Sequence, residues 1–424
     1  MSSRITRRAV LGATASACVS VGHAAPSRPA AIVGGKALLP GGKVLDPARI
    51  DLDREGRISS LKVIPPGTTP GPDEIDARGK TITSGLVEPL CQLGLVEVSL
   101  EVSSRDGARR DDDDPIRAAF RSADGYNPAS SLIPIARQHG ITSAVVVPRE
   151  GLVSGQSAWV NLGAPSGVEQ ASLALHAIVD DGAFGHYPGG RASAWLRLRE
   201  LFVEAAAFAE NEGAYLRGQT HDMRTSLLDL RTVARVVRGE LPLVLHLDRA
   251  SDLLIALQWG ESVGLVGGSP RARLVFASAA EGWKVAPALA RAGVPVLLYP
   301  LDDGPRTFTA RGARPDNAAL LHRAGVRIAL STGESHHARK LRQVAGNAVR
   351  AGLPFAAALD AVTEAPARIF GRPDHGGLAV KRRADLVVWS GDPFELSSRA
   401  ETVLIGGVVQ SLRSRQTALF ERYR

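Results

Sequence analysis

Cysteine and aromatic residues are scarce in this chain of 424 residues, which contains 2 cysteines and 5% aromatic residues. One of the cysteines, Cys18, lies close to the N-terminus, so that Cys91 stands alone in the rest of the chain. A lone cysteine excludes an intramolecular disulfide, and packing must therefore stabilise the fold. The net charge of +8 forms no basic stripe, which gives nucleic-acid binding little support.

Long apolar runs are also missing. The weakly apolar run over residues 9–22 is too short, and too poor in leucine and isoleucine, to span a bilayer. It follows Arg7-Arg8 in a twin-arginine pattern and leads to small residues that end at Ala24, which is the order of an export signal. We predict a twin-arginine signal peptide over residues 1–24 and a periplasmic or secreted protein without a transmembrane anchor after its removal. Lipidation at Cys18 stays open.

Short strands and turns at both ends flank a long α/β segment. Residues 30–82 and 376–410 each hold too little apolar strand to form a core alone, so we predict that they combine into one β-sandwich. Over residues 83–375 strands alternate with helices, which is typical of a parallel sheet or barrel. Predicted strands include 241–247, 273–277, 294–299 and 326–331, and predicted helices include 226–238 and 251–263. Residues 411–424 form a predicted C-terminal tail.

Several motifs flank and enter the α/β segment. Glu74-Ile75-Asp76-Ala77-Arg78-Gly79-Lys80 leads into a strand that begins Gly85-Leu86-Val87-Glu88. Near the C-terminus follow Thr363-Glu364-Ala365-Pro366-Ala367, Gly377-Leu378, and Ala384-Asp385-Leu386-Val387-Val388-Trp389 with Gly391-Asp392-Pro393. Over about residues 30–410 the chain resembles the amidohydrolase superfamily, in its imidazolonepropionase-like branch. The resemblance implies a (β/α)8 barrel with a composite β-sandwich, and hydrolysis of a non-peptide or cyclic C–N bond in a small substrate.

The metal-ligand positions that the resemblance implies are mostly substituted. Leu90 and Gln92 stand where the first barrel strand carries two histidines, the sixth strand has no histidine, and Gly333 or Glu334 replaces the aspartate of the eighth. His246 is the one implied metal ligand that is retained. Because a hydrolytic zinc ion usually needs three protein ligands, we expect at most a weak site, and zinc or another divalent ion as cofactor only if this altered site still binds one.

Residues at the carboxyl ends of the barrel strands are the candidate catalytic residues, namely His246, Asp248, Glu281 and Glu334. A histidine flanked by carboxylates could act as a general acid or base without metal. Alternatively, His246 is a buried histidine satisfied by a neighbour, and Glu281 caps the helix that follows it. Two functions stay open: an amidohydrolase-like enzyme with an altered or metal-poor site, and a catalytically inactive periplasmic binding or partner protein. The expected partner is a small-molecule substrate or ligand.

Overall fold

The computed structural model describes residues 27–108, 114–179, 190–267, 273–300, 304–305 and 307–424. The predicted signal peptide lies outside these residues. None of the helices found in these ranges is both long enough and apolar enough to cross a membrane.

Strands and helices alternate along most of the chain. The strands are β1 (Ala31–Leu38), β2 (Val44–Leu52), β3 (Ile58–Val63), β4 (Glu74–Asp76), β5 (Thr81–Ser84), β6 (Leu86–Cys91), β7 (Ile141–Val146), β8 (Val153–Gln156), β9 (Ala158–Asn161), β10 (Gly167–Gln170), β11 (Leu175–Ile178), β12 (Leu243–Leu247), β13 (Leu274–Ser278), β14 (Val296–Leu298), β15 (Ile328–Leu330), β16 (Leu386–Trp389), β17 (Ala400–Ile405) and β18 (Val408–Val409). The helices are α1 (Ser122–Gly125), α2 (Leu132–Gln138), α3 (Gly190–Leu216), α4 (Leu227–Val237), α5 (Ala250–Ser262), α6 (Ala286–Ala292), α7 (Asn317–Arg323), α8 (Leu341–Arg350), α9 (Phe355–Ala361), α10 (Glu364–Ile369) and α11 (Arg415–Tyr423).

Both ends of the chain contribute strands to one sheet. Its order is β18-β17-β16-β5-β1-β2-β3, with β4 paired to β1. The two ends meet where β5 and β16 run antiparallel, with Ile82 opposite Val388. One face of the sheet is covered by buried aliphatic side chains that include Ile32, Ile50, Ile82, Val388 and Leu404. Neither end could bury these side chains alone, which is why the sheet needs both.

The middle of the chain forms two further sheets with helices packed around them. Their orders are β10-β9-β7-β6 and β15-β14-β13-β12-β11-β8, and β11 to β15 are parallel neighbours. The edge strands of the two sheets approach each other, because the Ser331 hydroxyl, directly after β15, donates to the carbonyl of Leu90 on β6 at 3.2 Å. The ladders do not close into one ring. The fold is therefore mixed α/β, and the (β/α)8 barrel stays a prediction.

An apolar interior lies among the strands of these two sheets. It is built from one or two buried side chains per strand, among them Val87, Leu90, Val145, Val244, Val275, Leu297 and Ala329. Leu90, at one of the two positions where the resemblance implies a histidine, is completely buried here. Since the strand interiors are filled with apolar side chains, polar chemistry is left to the carboxyl ends of the parallel strands.

A buried group of charges connects the β9–β10 hairpin with the chain before β16. Glu169 on β10 pairs with Arg372 at 2.7 Å, with His375 at 3.1 Å and with Arg383 at 2.6 Å. The other ring nitrogen of His375 lies 3.4 Å from Asp385. Burial lowers the pKa of His375, but the two carboxylates outweigh it and raise the pKa above its usual value. The imidazolium is thus part of the ion network.

Replacing His375 by glutamine is expected to destabilise the fold more at pH 6 than at pH 9. Because its pKa is raised in the folded state, the stability that His375 contributes is complete below its unfolded pKa and is lost as pH rises through the folded one. Removing one member of a buried ion network costs on the order of 3 kcal/mol. Urea unfolding of both proteins at the two pH values measures the difference.

His139→Gln is the matched control for this measurement. Burial, followed by the charges of Arg342 and Arg339, lowers the pKa of His139 to about 4, so its contribution is lost only as pH falls, and the effect of His139→Gln should not grow from pH 9 to pH 6. An effect of His375→Gln that did not shrink toward pH 9 would contradict the charged state of His375.

Candidate functional site

His246 lies near the carboxyl end of β12 and is in contact with a second histidine. Its Nε2 is 3.1 Å from Nδ1 of His176, which is on the neighbouring strand β11. His176 is completely buried and His246 is 7% exposed. β11 and β12 pair in parallel with His176 opposite Val244 and His246 opposite Ile178, so the two rings meet diagonally across the strands. This contact agrees with the alternative interpretation, in which His246 is a buried histidine that hydrogen-bonds to a neighbouring side chain.

Both imidazoles are held in their neutral form. Burial, followed by the positive charge of Arg149, lowers the pKa of His246 to about 3. Burial also lowers the pKa of His176, followed by the effects of His246 and Arg149. One ring therefore donates its N–H to the other ring's lone pair. A neutral imidazole with a free lone pair can accept a proton or bind a metal.

Asp248 follows β12, and its carboxylate hydrogen-bonds to the turn after β13. Its Oδ1 accepts from the Ser278 hydroxyl at 2.5 Å and from the Ala280 N–H at 3.1 Å. Ser278 and Ala279 have φ values of 71° and 47°, a conformation that side-chain-bearing residues rarely adopt. The carboxylate thus stabilises a strained turn at the strand ends, and such strain is concentrated at functional sites. The catalytic role of Asp248 stays a prediction.

Glu281 connects three segments through hydrogen bonds. Its Oε2 accepts from the N–H of Ala250, the first residue of α5, at 3.1 Å. Its Oε1 accepts from the Gly312 N–H at 2.9 Å and from Lys284 Nζ at 2.7 Å. Burial raises the pKa of Glu281, but these donors outweigh it and lower the pKa. The prediction that Glu281 caps the following helix is wrong: its side chain makes no capping bond there and instead caps α5, which precedes it in sequence. Its catalytic role stays a prediction.

Glu334 lies apart from the histidine pair. Its side chain is 62% exposed and pairs with Nδ1 of His337 at 3.2 Å. No hydrogen bond or ion pair of the described residues joins Glu281 or Glu334 to His246. The structure thus brings His246 into contact with His176, and within the described residues it joins neither Glu281 nor Glu334 to this pair.

Glu88 is a residue of the site region that the sequence analysis did not select. It is completely buried on β6 and accepts from the Ser331 hydroxyl, from the Thr332 N–H at 3.1 Å and from the Thr332 hydroxyl at 2.9 Å. Burial raises the pKa of Glu88 to about 7. The signal was present in the sequence, because Glu88 is the acid of the Gly-Leu-Val-acid motif.

Arg149 is a second residue that the sequence analysis did not select. It follows β7, its backbone N–H donates to the Gly107 carbonyl at 3.0 Å, and its Nη2 donates to the carbonyl of Gly333. Its charge acts on both histidines of the pair. No motif in the sequence marked it, because the implied ligands are histidines and carboxylates.

The residues present do not fit a hydrolytic zinc ion. Within the described ranges no group of three histidine, cysteine, aspartate or glutamate side chains is placed to hold a metal ion. Leu90 belongs to the apolar interior, and the neighbouring Cys91 is buried with the pKa of its thiol raised by burial. The facing nitrogens of His176 and His246 contact each other. His246 as a metal ligand therefore remains a prediction without companion ligands.

Three comparisons with known proteins bear on identity. The family model of the amidohydrolase family matches residues 284–410. Amidohydrolase tasK of Hapsidospora irregularis is 25% identical over 298 residues, and the match covers 61% of this chain and 29% of that protein. The chain thus spans less than a third of the length of this curated relative.

Solved structures resemble the fold over nearly its whole length. A crystal structure of an amidohydrolase from Thermotoga maritima MSB8 has a TM-score of 0.78 at 24% identity, covering 90% of this chain and 100% of that one. A prolidase complexed with N-methylphosphonate-L-proline has a TM-score of 0.52 at 16% identity, covering 89% and 98%. A 5-methylcytosine deaminase from Klebsiella pneumoniae has a TM-score of 0.51 at 16% identity, covering 91% and 98%.

At these identities the structural matches establish likeness of fold alone, and they do not distinguish a branch. The family model covers the closing helices and the C-terminal strands, which are also where the sequence resemblance is densest. Taken together, the family model over residues 284–410, the curated relative and the fold all show similarity to amidohydrolases.

Proposed function

We propose that this protein hydrolyses a non-peptide or cyclic C–N bond of a small molecule at an altered, metal-poor site, as the imidazolonepropionase-like resemblance implies. The observation that carries the proposal is the contact of the neutral His176 and His246 rings, with His246 near the carboxyl end of β12. Active sites of barrel and α/β enzymes lie at this end of the strands. The deaminase and the prolidase of similar fold are consistent with a small substrate of this kind.

In this proposal His246 is the general base. Its lone pair accepts a proton from water as the water oxygen attacks the carbonyl carbon, and the resulting imidazolium returns the proton to the departing nitrogen. The hydrogen bond with His176 fixes the orientation and tautomer of the ring. Because a base with a pKa of about 3 accepts a proton poorly, we expect slow turnover.

Replacing His246 by alanine is expected to lower hydrolysis about 100-fold or more, since general-base catalysis contributes about 10²- to 10⁴-fold. Purified protein is incubated with linear amides, cyclic amides and ureas, and dipeptides, and the release of amine and carboxylate is measured before and after treatment with a chelator. His221→Ala, at an exposed position, is the matched control and should retain full activity. Equal turnover by His246→Ala and wild type would contradict the role of His246.

A catalytically inactive periplasmic binding or partner protein is the second candidate. The observation that favours it is Leu90, which fills an implied ligand position with an apolar side chain. Binding of small amides without product release by wild type would favour this candidate. Export through the predicted signal peptide, and hence a periplasmic or secreted location, belongs to both proposals.

A further inference from the structure

Arg149 is a partly buried cation for which the described residues offer no carboxylate partner. Its Nη2 donates to a backbone carbonyl, and its Nε is buried with no hydrogen-bond acceptor in the described part of the chain. By contrast, the nearby Arg105 pairs with Glu150 at 3.0 Å. Partial burial of a guanidinium is costly unless an anion or further acceptors compensate it. The Arg149 guanidinium is therefore suited to bind a hydrogen-bond acceptor that the described residues do not supply.

The surroundings of Arg149 indicate what kind of acceptor fits. Arg149 Nη2 donates to the carbonyl of Gly333, which lies beyond the carboxyl end of β15, so the guanidinium is at the strand ends. Gly333, which accepts from Arg149, also lies against the ring of Tyr299, since a Cβ at Gly333 would be 2.9 Å from that ring. A guanidinium with several N–H donors beside an aromatic ring favours a small organic anion over an uncharged ligand.

A second observation concerns the rim at the same strand ends. A shallow cavity of about 520 Å³ is lined by Arg249, which follows Asp248 in sequence, and by Lys284 and Arg311. The one carboxylate in its lining, Glu281, is already hydrogen-bonded to Lys284 and two backbone N–H groups. A rim with excess positive charge attracts anions toward the strand ends.

We propose that Arg149 binds the carboxylate of a small amide or cyclic C–N compound and holds it beside the His176–His246 pair. This inference rests on the proposed function and narrows its substrate class to compounds that carry an anionic carboxylate. Two oxygens of the carboxylate accept from the guanidinium, which orients the C–N bond relative to His246. Arg149 is then the residue that selects charged over uncharged amides.

The test compares matched pairs of probes that differ in one carboxylate. N-acetyl-L-alanine is paired with N-acetyl-L-alaninamide, and hydantoin-5-acetic acid with 5-methylhydantoin, and binding to the full chain is measured by calorimetry. Hydrogen bonds to charged groups predict a preference of wild type for the acid of about 10- to 100-fold. Arg149→Met should lose this preference, while Arg149→Lys should retain part of it, because lysine keeps the charge without the fork.

Arg121→Gln is the control, because Arg121 is an exposed arginine that pairs with Asp124 away from the histidine pair. Circular dichroism verifies that each variant is folded. Failure of both acids to bind wild type, equal binding of acid and uncharged probe, or an unchanged preference in folded Arg149→Met would overturn the inference.

Turnover is measured on the same samples. Preferential binding without hydrolysis would support the role of Arg149 and defeat the hydrolase proposal, whereas hydrolysis of uncharged amides without preference would defeat the role of Arg149 alone.

Discussion

Replacing Glu88 by alanine is expected to lower the free energy of unfolding by about 3 to 5 kcal/mol, because several buried donors lose their acceptor at once. The carboxylate accepts from the Ser331 hydroxyl and from both the N–H and the hydroxyl of Thr332. It is completely buried, so that no water replaces it without rearrangement. Chemical denaturation at fixed pH measures the loss, and a change below 1 kcal/mol would contradict this account.

The same residue is expected to make stability depend on pH. Burial raises the folded-state pKa of Glu88 to about 7 from a usual value of 4.5. The stability linked to its protonation is therefore complete below the unfolded pKa and is lost as pH rises through the folded one. At about 1.4 kcal/mol for each pKa unit, the loss is on the order of 3 kcal/mol between pH 4.5 and pH 8.

Glu88→Gln removes this dependence, because an amide does not titrate in this range. We expect the difference in unfolding free energy between wild type and Glu88→Gln to change by about 3 kcal/mol between pH 4.5 and pH 8. Relative to the variant, wild type is less stable at pH 8. Glu334→Gln serves as the control for a carboxylate that is mostly exposed. Parallel pH profiles of wild type and Glu88→Gln would show that Glu88 is ionised throughout.

Glu88 also links the fold to the site. Ser331 and Thr332, which it holds, directly precede Gly333, whose carbonyl accepts from Arg149. A change at Glu88 therefore moves the segment that positions the guanidinium, even though Glu88 touches neither histidine through any described hydrogen bond. We regard Glu88 as a positioning residue for the strand ends.

The strands and helices with strong local patterns could be read from the sequence. The predicted strand 241–247 corresponds to β12 (Leu243–Leu247), and the predicted helix 226–238 to α4 (Leu227–Val237). β12 is buried along its whole length, which makes it a continuous apolar run. α4 begins at Ser226, whose hydroxyl accepts from the Asp229 N–H, a local capping interaction.

The site could be predicted only in part, because its contacts join distant segments. Arg149 and Gly333 are 184 positions apart, and Glu88 and Ser331 are 243 apart. Periodicity and motifs predict single helices and strands from residues that are close in sequence. They do not predict which strand ends lie close together in the fold. His246 could be predicted because its strand carries a motif, whereas no motif marks its partner His176.

The double variant Leu90→His/Gln92→His is expected to be less stable than wild type and to gain no tightly bound zinc. Leu90 is completely buried among aliphatic side chains, so an imidazole there replaces apolar contacts and needs partners for its nitrogens. Lost apolar burial and an incompletely satisfied polar group cost about 2 to 4 kcal/mol together. Leu90→Met, which keeps the volume, should cost less than about 1.5 kcal/mol and is the control.

Zinc fails to restore this stability because two histidines do not rebuild the remainder of the site. On β13 the corresponding strand end carries Ser278, whose hydroxyl is bound to Asp248, and the positive charge of Arg149 opposes a divalent cation nearby. A metal that bound only the folded state would raise the melting temperature in proportion to the logarithm of its concentration. Thermal unfolding with and without zinc, together with zinc content after dialysis, measures this directly.

Adding Arg149→Met to the double variant should increase any zinc effect if the guanidinium excludes the ion. One tightly held zinc in the double variant itself would instead mean that the surviving side chains still complete a metal site, and that the superfamily's metal chemistry was lost here through Leu90 and Gln92 alone.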